Sequence, residues 1–214
     1  MLNDHFKDKQ LVRENEWIRI YNIGPGQQYY ESKFVHDNVQ VLAKSIESRW
    51  HTLSAEEQAD FVMAFQSKYP LTSEDEEILE FLMNTGDENV WSTLALPLTR
   101  MSSSKHEKAL AFLIERIQRR DTHRANYYQA LGELKDTKAI PALKVAYEEE
   151  RRTISLDKPL TDFQDIFPYI DYLACCAALY ILEGSKEFKQ AIEALKSHPN
   201  ENVRSQANLA LRSS

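Results

Sequence analysis

Between Arg120 and Arg152 the apolar positions recur at helical spacing in two consecutive runs. Tyr127, Leu131 and Leu134 follow one another at steps of four and three, and Ile140, Leu143 and Tyr147 repeat the pattern at three and four. Each set therefore occupies one face of a helix. The intervening Lys135, Asp136, Thr137 and Lys138 form a short polar turn in which Asp136 or Thr137 can cap the second helix. The pair reads as a tight antiparallel hairpin. Neither helix buries its stripe alone, which is the mark of a repeat whose neighbours complete each core.

The same period extends along the chain. Val35, Val39, Leu42 and Ile46 predict a long helix over about 27–50. Ser54 with Glu57, and Ser73 with Glu76, have the spacing of capping boxes that open the next two helices. Val62, Phe65 and Tyr69 supply the apolar stripe of the first, and Ile78 and Leu82 that of the second. Pro70 separates them, and Gly86 stands where a left-handed C-cap is expected. Further helices are predicted near 88–99, 105–119, 122–135, 138–152, 168–184, 186–197 and 201–212, about ten in five hairpins. Residues 1–26 fit this scheme least. Glu16 to Ile23 alternates briefly and stops at Gly24-Pro25-Gly26, as a short strand or extended arm anchored by Trp17 and Ile20 would. The stretch 153–167 is too long for an inter-repeat turn and reads as an inserted loop with one helical turn near Asp162.

Ala130-Leu131-Gly132-Glu133-Leu134 followed by Ala139-Ile140-Pro141-Ala142-Leu143 resembles the consensus of HEAT repeats, particularly the short bacterial HEAT-like kind. Asn200, Val203, Arg204, Ala207, Ala210 and Leu211 fit the first helix of another copy. Asp87, Val90, Trp91, Leu94, Pro97 and Leu98 fit a divergent third. The resemblance covers the C-terminal 130 residues or so. It implies an all-α fold, a right-handed α-solenoid of about five HEAT-like hairpins in residues 27–214, whose second helices line a shallow concave surface and which is preceded by an N-terminal arm. It also implies that Arg124 and Arg204 tie adjacent turns together. About function it implies little.

Composition adds to this picture. Of 214 residues 43% are apolar, with five Gly and seven Pro, and the length suits one continuous core. The net charge of −7 argues against non-specific nucleic-acid binding and suits a basic protein partner. The two cysteines, Cys175 and Cys176, are adjacent and cannot readily pair with each other in a helix, so they read as small core residues of a reducing compartment. The N-terminus has no apolar signal segment, and the longest uninterrupted apolar run is too short for a bilayer. A cytoplasmic protein, monomeric or weakly oligomeric and away from membranes, is the expectation.

No HExxH, GxSxG, CxxC or dinucleotide fingerprint is present, and the histidines are scattered, so no catalytic residue, metal site or cofactor is expected. His106-Glu107 is a single His-Glu pair, whereas the HEAT-fold deoxyhypusine hydroxylases bind iron through several. The charge distribution is more informative. Ser54 to Asn89 holds ten acidic residues against Lys68, a local −9, whereas Arg100 to Arg124 carries seven basic against three acidic, a local +4. Glu74, Asp75, Glu77 and Glu80 on one side, Arg116, Arg119 and Arg120 on the other, and Trp91, Tyr128 and Tyr169 as aromatic anchors are the candidate partner-binding residues. The expected function is a non-enzymatic protein-binding module, such as an immunity, neutralising or adaptor protein. The alternative is a HEAT-like enzyme, a DNA-repair glycosylase or a cofactor-attaching lyase, with its cleft around Trp91.

Overall fold

The computed structural model describes residues 9–24, 27–157, 159–160 and 162–213. It is mostly helical with one small sheet, and the chain divides into two compact units, Met1–Arg100 and Met101–Ser214.

The first unit departs from the sequence expectation at its start. Strands β1 (Gln10–Glu14), β2 (Ile18–Gly24) and β3 (Gln27–Ser32) form an antiparallel meander in the order β1-β2-β3. Asn15 sets the first turn, its Oδ1 accepting from the amides of Trp17 and Ile18 at 3.0 and 3.1 Å. The helix predicted from residue 27 is absent. Tyr29 and Tyr30 instead pair with Tyr21 and Ile20 of β2, and Asn38, at φ 51°, breaks the helix that begins as α1 (Lys33–His36). Its expected seam is accordingly split, with Val35 and Leu42 exposed and Ile46 buried in α2 (Ala43–Arg49). A hydrophobic period of four thus spanned two elements rather than one.

The sheet lays Trp17, Ile18 and Ile20 on an aromatic core. Phe61, fully buried in α3 (Ala55–Phe65), meets Trp17, Phe34 and Trp50 edge to face at 5.2, 5.6 and 6.0 Å and stacks on Phe65. Ser54 and Glu57 form the expected capping box of α3. The next box is displaced by one residue: Thr72 and Asp75, not Ser73 and Glu76, open α4 (Ser73–Thr85). Gly86 follows α4 in extended rather than left-handed backbone. What its position requires is space, because a Cβ there would stand 2.7 Å from Val90 Cγ1 and 2.8 Å from the Leu82 carbonyl. Helix α5 (Glu88–Leu98), capped by Asp87, packs on α3 and α4.

In the second unit α6 (His106–Arg119), α7 (Arg124–Leu134), α8 (Ile140–Glu150), α9 (Phe167–Glu183), α10 (Lys186–Ala194) and α11 (Glu201–Ser213) follow at the predicted positions. Asp162 caps a short 3-10 turn, Phe163–Ile166, before Pro168 enters the first turn of α9, and Gly184 ends that helix with φ 66°. Helix α9 is the centre of the unit, packing on α7, α8, α10 and α11. Gln164–Glu183 is long and apolar enough to cross a bilayer by length and composition, although no uninterrupted apolar run has that length and half of its most apolar stretch is buried within the unit. Cys175 and Cys176 lie fully buried within it, and Cys175 Sγ donates to the Leu143 carbonyl.

Candidate partner-binding site

The acidic half of the predicted surface splits by role once α4 is folded. Asp75 is 1% exposed; its carboxylate accepts from Lys68 Nζ at 2.6 Å and from the Thr72 amide and hydroxyl at 2.8 Å. It is an internal cap and counter-ion, so its assignment to a partner surface is corrected. Glu74 is half-buried and accepts from the Ala43 amide, fastening the first turn of α2 to α4. Glu77 is exposed and Glu80 half-buried, and with Glu47 of α2 they line a groove of about 360 Å³ over Phe81 and Asn84. Trp50 holds the Phe81 ring edge to face at 6.4 Å, which fixes the floor. Sequence reasoning missed Glu47, because the helix it was assigned to carried the wrong boundaries.

The groove sits in a strongly acidic unit. Residues 1–100 hold nine basic and seventeen acidic side chains, a net −8, whereas 101–214 hold seventeen and sixteen, a net +1, which together give the −7 of the chain. Carboxylates flanking an aromatic floor favour a cation with an apolar stem, as in lysine or arginine.

Trp91 is half-buried, and its Nε1 donates to the Leu82 carbonyl at 3.0 Å. The indole is thereby a second donor to a carbonyl that already accepts from the Gly86 amide, and it braces the last turn of α4.

Arg116, Arg119 and Arg120 are matched locally. Arg116 is 4% exposed, ion-paired to Glu115 and Asp121 at 2.8 and 3.4 Å with its guanidinium over the Phe112 ring. It belongs to the interior, not to an accessible basic face. Arg119 and Arg120 are exposed and pair with Glu115 and Glu149, Arg120 closing α6 in the left-handed region at φ 59°. His106 is partly exposed and shares a 2.9 Å hydrogen bond with Asp136.

Tyr128 and Tyr169 are corrected as interface anchors, since both are buried. Tyr128 donates to Glu150 Oε1 at 2.7 Å, and Tyr169 donates to the Ser155 carbonyl at 2.8 Å while accepting from the Ser155 amide. Both are buried because α7 and α9 are covered on more than one side, whereas a single apolar stripe implies one buried face. Around Tyr128 lies a buried charged cluster. Arg124 reaches Glu150 Oε1 and Oε2 at 3.1 and 3.3 Å and Asp171 at 3.6 Å, and Asp171 Oδ1 accepts the Ala125 amide at 2.8 Å. Burial pushes both carboxyls above their ordinary range, against the opposing effects of Arg124 and these hydrogen bonds. The cluster joins α7, α8 and α9. Arg204 donates to the carbonyls of His198 and Pro199 and so ties down the turn before its own helix.

On the other side of α9, Ala174, Ala177, Ala178 and Ile181 floor a trough of about 260 Å³ walled by α7 and α11. Among the described residues no group of three or more His, Cys, Asp or Glu side chains is placed to hold a metal ion. No family model, curated protein or solved structure matches the chain.

Proposed function

We propose that the protein is a non-enzymatic binding module that engages a basic protein partner through the α2/α4 groove. The observation that carries this reading is the convergence of Glu47, Glu77 and Glu80 around the fixed ring of Phe81, in a unit of net charge −8. An acidic surface of this kind accelerates encounter with a basic partner and rejects nucleic acid. A neutralising, immunity or adaptor role follows from stoichiometric masking of such a partner. The surroundings are consistent with it: Asp75 and Glu74 of α4 serve the fold, while Glu77 and Glu80 of the same helix line this groove.

We further propose that the second unit is a HEAT-like right-handed solenoid. What supports it is the alternation of its helices, with α7, α9 and α11 side by side and α6 beside α8, together with Arg124 bridging successive helices as the resemblance leads one to expect. Glu201, Asn202, Ser205, Asn208 and Arg212 make the exposed side of the last helix mainly polar, which suits a terminal repeat.

The test is titration of the full chain with a lysine-rich peptide, followed by amide chemical shifts. Shifts confined to α2 and α4, weakened at least tenfold by Glu77→Lys with Glu80→Lys, support the groove; shifts spread evenly over all acidic surface would reject it.

A further inference from the structure

Helix α9 is apolar on both sides. Its inner side is the core of the second unit, where Cys175, Cys176 and Leu179 are buried, but its outer side, with Ala174 and Ile181, floors the α7/α9/α11 trough. Asp171 and Glu183 turn instead to Arg124 and Lys144, and a helix apolar on two sides is normally covered on both. The flanking helices turn polar groups to the rim, the amides of Asn126, Gln129 and Gln206 and the carboxylate of Glu133, beside the half-exposed Leu209.

We infer that the trough is a second binding site and that its occupant is an amphipathic helix of a partner protein, presenting leucine-sized side chains to the floor and a lysine or arginine to Glu133. Size argues for this occupant. About 260 Å³ holds a few aliphatic side chains and lies below the range of pockets that enclose a whole cofactor. The alanine floor lets a helix backbone approach closely, and a stripe at i, i+3, i+4 and i+7 matches an elongated trough. Charge decides between amphiphiles. The described lining residues include one carboxylate and no lysine, arginine or histidine, so a fatty acid or other anionic amphiphile meets no counter-charge, whereas a helix flanked by cations does. This site is separate from the α2/α4 groove and does not depend on the function proposed for it.

The test is amide-shift mapping on the full chain with three probes: a synthetic amphipathic helical peptide carrying leucines at i, i+3, i+4 and i+7 with lysine flanks, the same peptide with glutamate flanks, and decanoate. The lysine-flanked peptide should give saturable shifts on α7, α9 and α11, at least tenfold weaker after Ala174→Gln narrows the trough. Glu133→Lys, at an exposed position where folding is not at stake, should cost the lysine-flanked peptide about two- to fivefold and remove the preference over its glutamate-flanked counterpart. Because shifts are read residue by residue, binding of the lysines at α2 and α4 is told apart from binding at the trough. Equal binding of both peptides by the unmodified chain, tighter binding of decanoate, trough shifts that vanish on dilution of the protein alone, or no saturation on α7, α9 and α11 would each overturn it.

Discussion

Replacing Arg124 by methionine should destabilise the second unit by about 3 kcal/mol at neutral pH, and the loss should shrink as the solution is acidified. Arg124 holds both oxygens of Glu150, at 3.1 and 3.3 Å, and Glu150 is 1% exposed. Removing one partner of a buried ion pair costs roughly 3–5 kcal/mol, because the remaining charge is stranded. The Arg124 side chain is 22% exposed and Tyr128 still donates to Glu150 in the variant, which places the expectation at the low end. The pH dependence follows from the direction of the carboxyl's shift. Burial already raises Glu150, and loss of the guanidinium raises it further, so the folded variant holds a proton that the unfolded chain releases. Its stability therefore improves as pH falls from neutrality toward the ordinary glutamate value, by up to about 1.4 kcal/mol per unit. Urea unfolding followed by circular dichroism between pH 5 and 7.5, with hydrogen exchange on α7 to α9, measures both effects. Adding Glu150→Gln should restore half or more of the loss, since the amide carries no charge and still accepts from Tyr128. A loss below about 0.5 kcal/mol with no pH dependence would show instead that the cluster is solvated.

Other consequences are open to direct measurement. Ser54→Ala removes the acceptor for the Glu57 amide and should cost about 1 kcal/mol in urea unfolding, with no change in Glu47, Glu77 or Glu80 and hence none in peptide binding. Gly86→Ala should cost about 1–3 kcal/mol, because the new methyl meets Val90 Cγ1, the Leu82 carbonyl and Trp91 Nε1 at 2.7, 2.8 and 3.0 Å; an unchanged denaturation midpoint would show that α5 yields freely. Cys175 and Cys176 should resist a thiol reagent in the folded protein at pH 8 and react on unfolding, since both are buried, burial raises both thiols and Cys176 is pushed up to about 12. Reaction of either at the rate of a free thiol would contradict the packing of α9.

Much of the helical order was legible because period and capping residues agreed. From Glu88 onward each helix begins and ends near its expected place, and Pro168 and Gly184 bracket α9 as their chemistry demands. The sheet was not legible beyond a hint in Glu16 to Ile23. Val35, Val39, Leu42 and Ile46 mimic one helical stripe, and only the left-handed backbone at Asn38 and the pairing of Tyr29 and Tyr30 with β2 divide it. The candidate site was half legible for a related reason. Local charge density pointed to α4, but spacing along one helix does not reveal that Lys68 reaches Asp75, that Glu74 turns to Ala43, or that Glu47 arrives from α2. Of the three arginines only Arg116 was misplaced, because helical spacing does not show that it turns inward to Asp121; Arg119 and Arg120 stay at the surface, beside Glu115 one turn earlier and Glu149 from α8.

The proposal of an acidic docking groove is tested most directly by capture from the source lysate with the tagged full chain, run in parallel with a variant carrying Glu47→Lys, Glu77→Lys and Glu80→Lys. The account predicts a basic protein held stoichiometrically at low salt, weakened at moderate salt and lost with the charge-reversed variant. Equal capture by both chains, or recovery of nucleic acid in place of a protein, would contradict it.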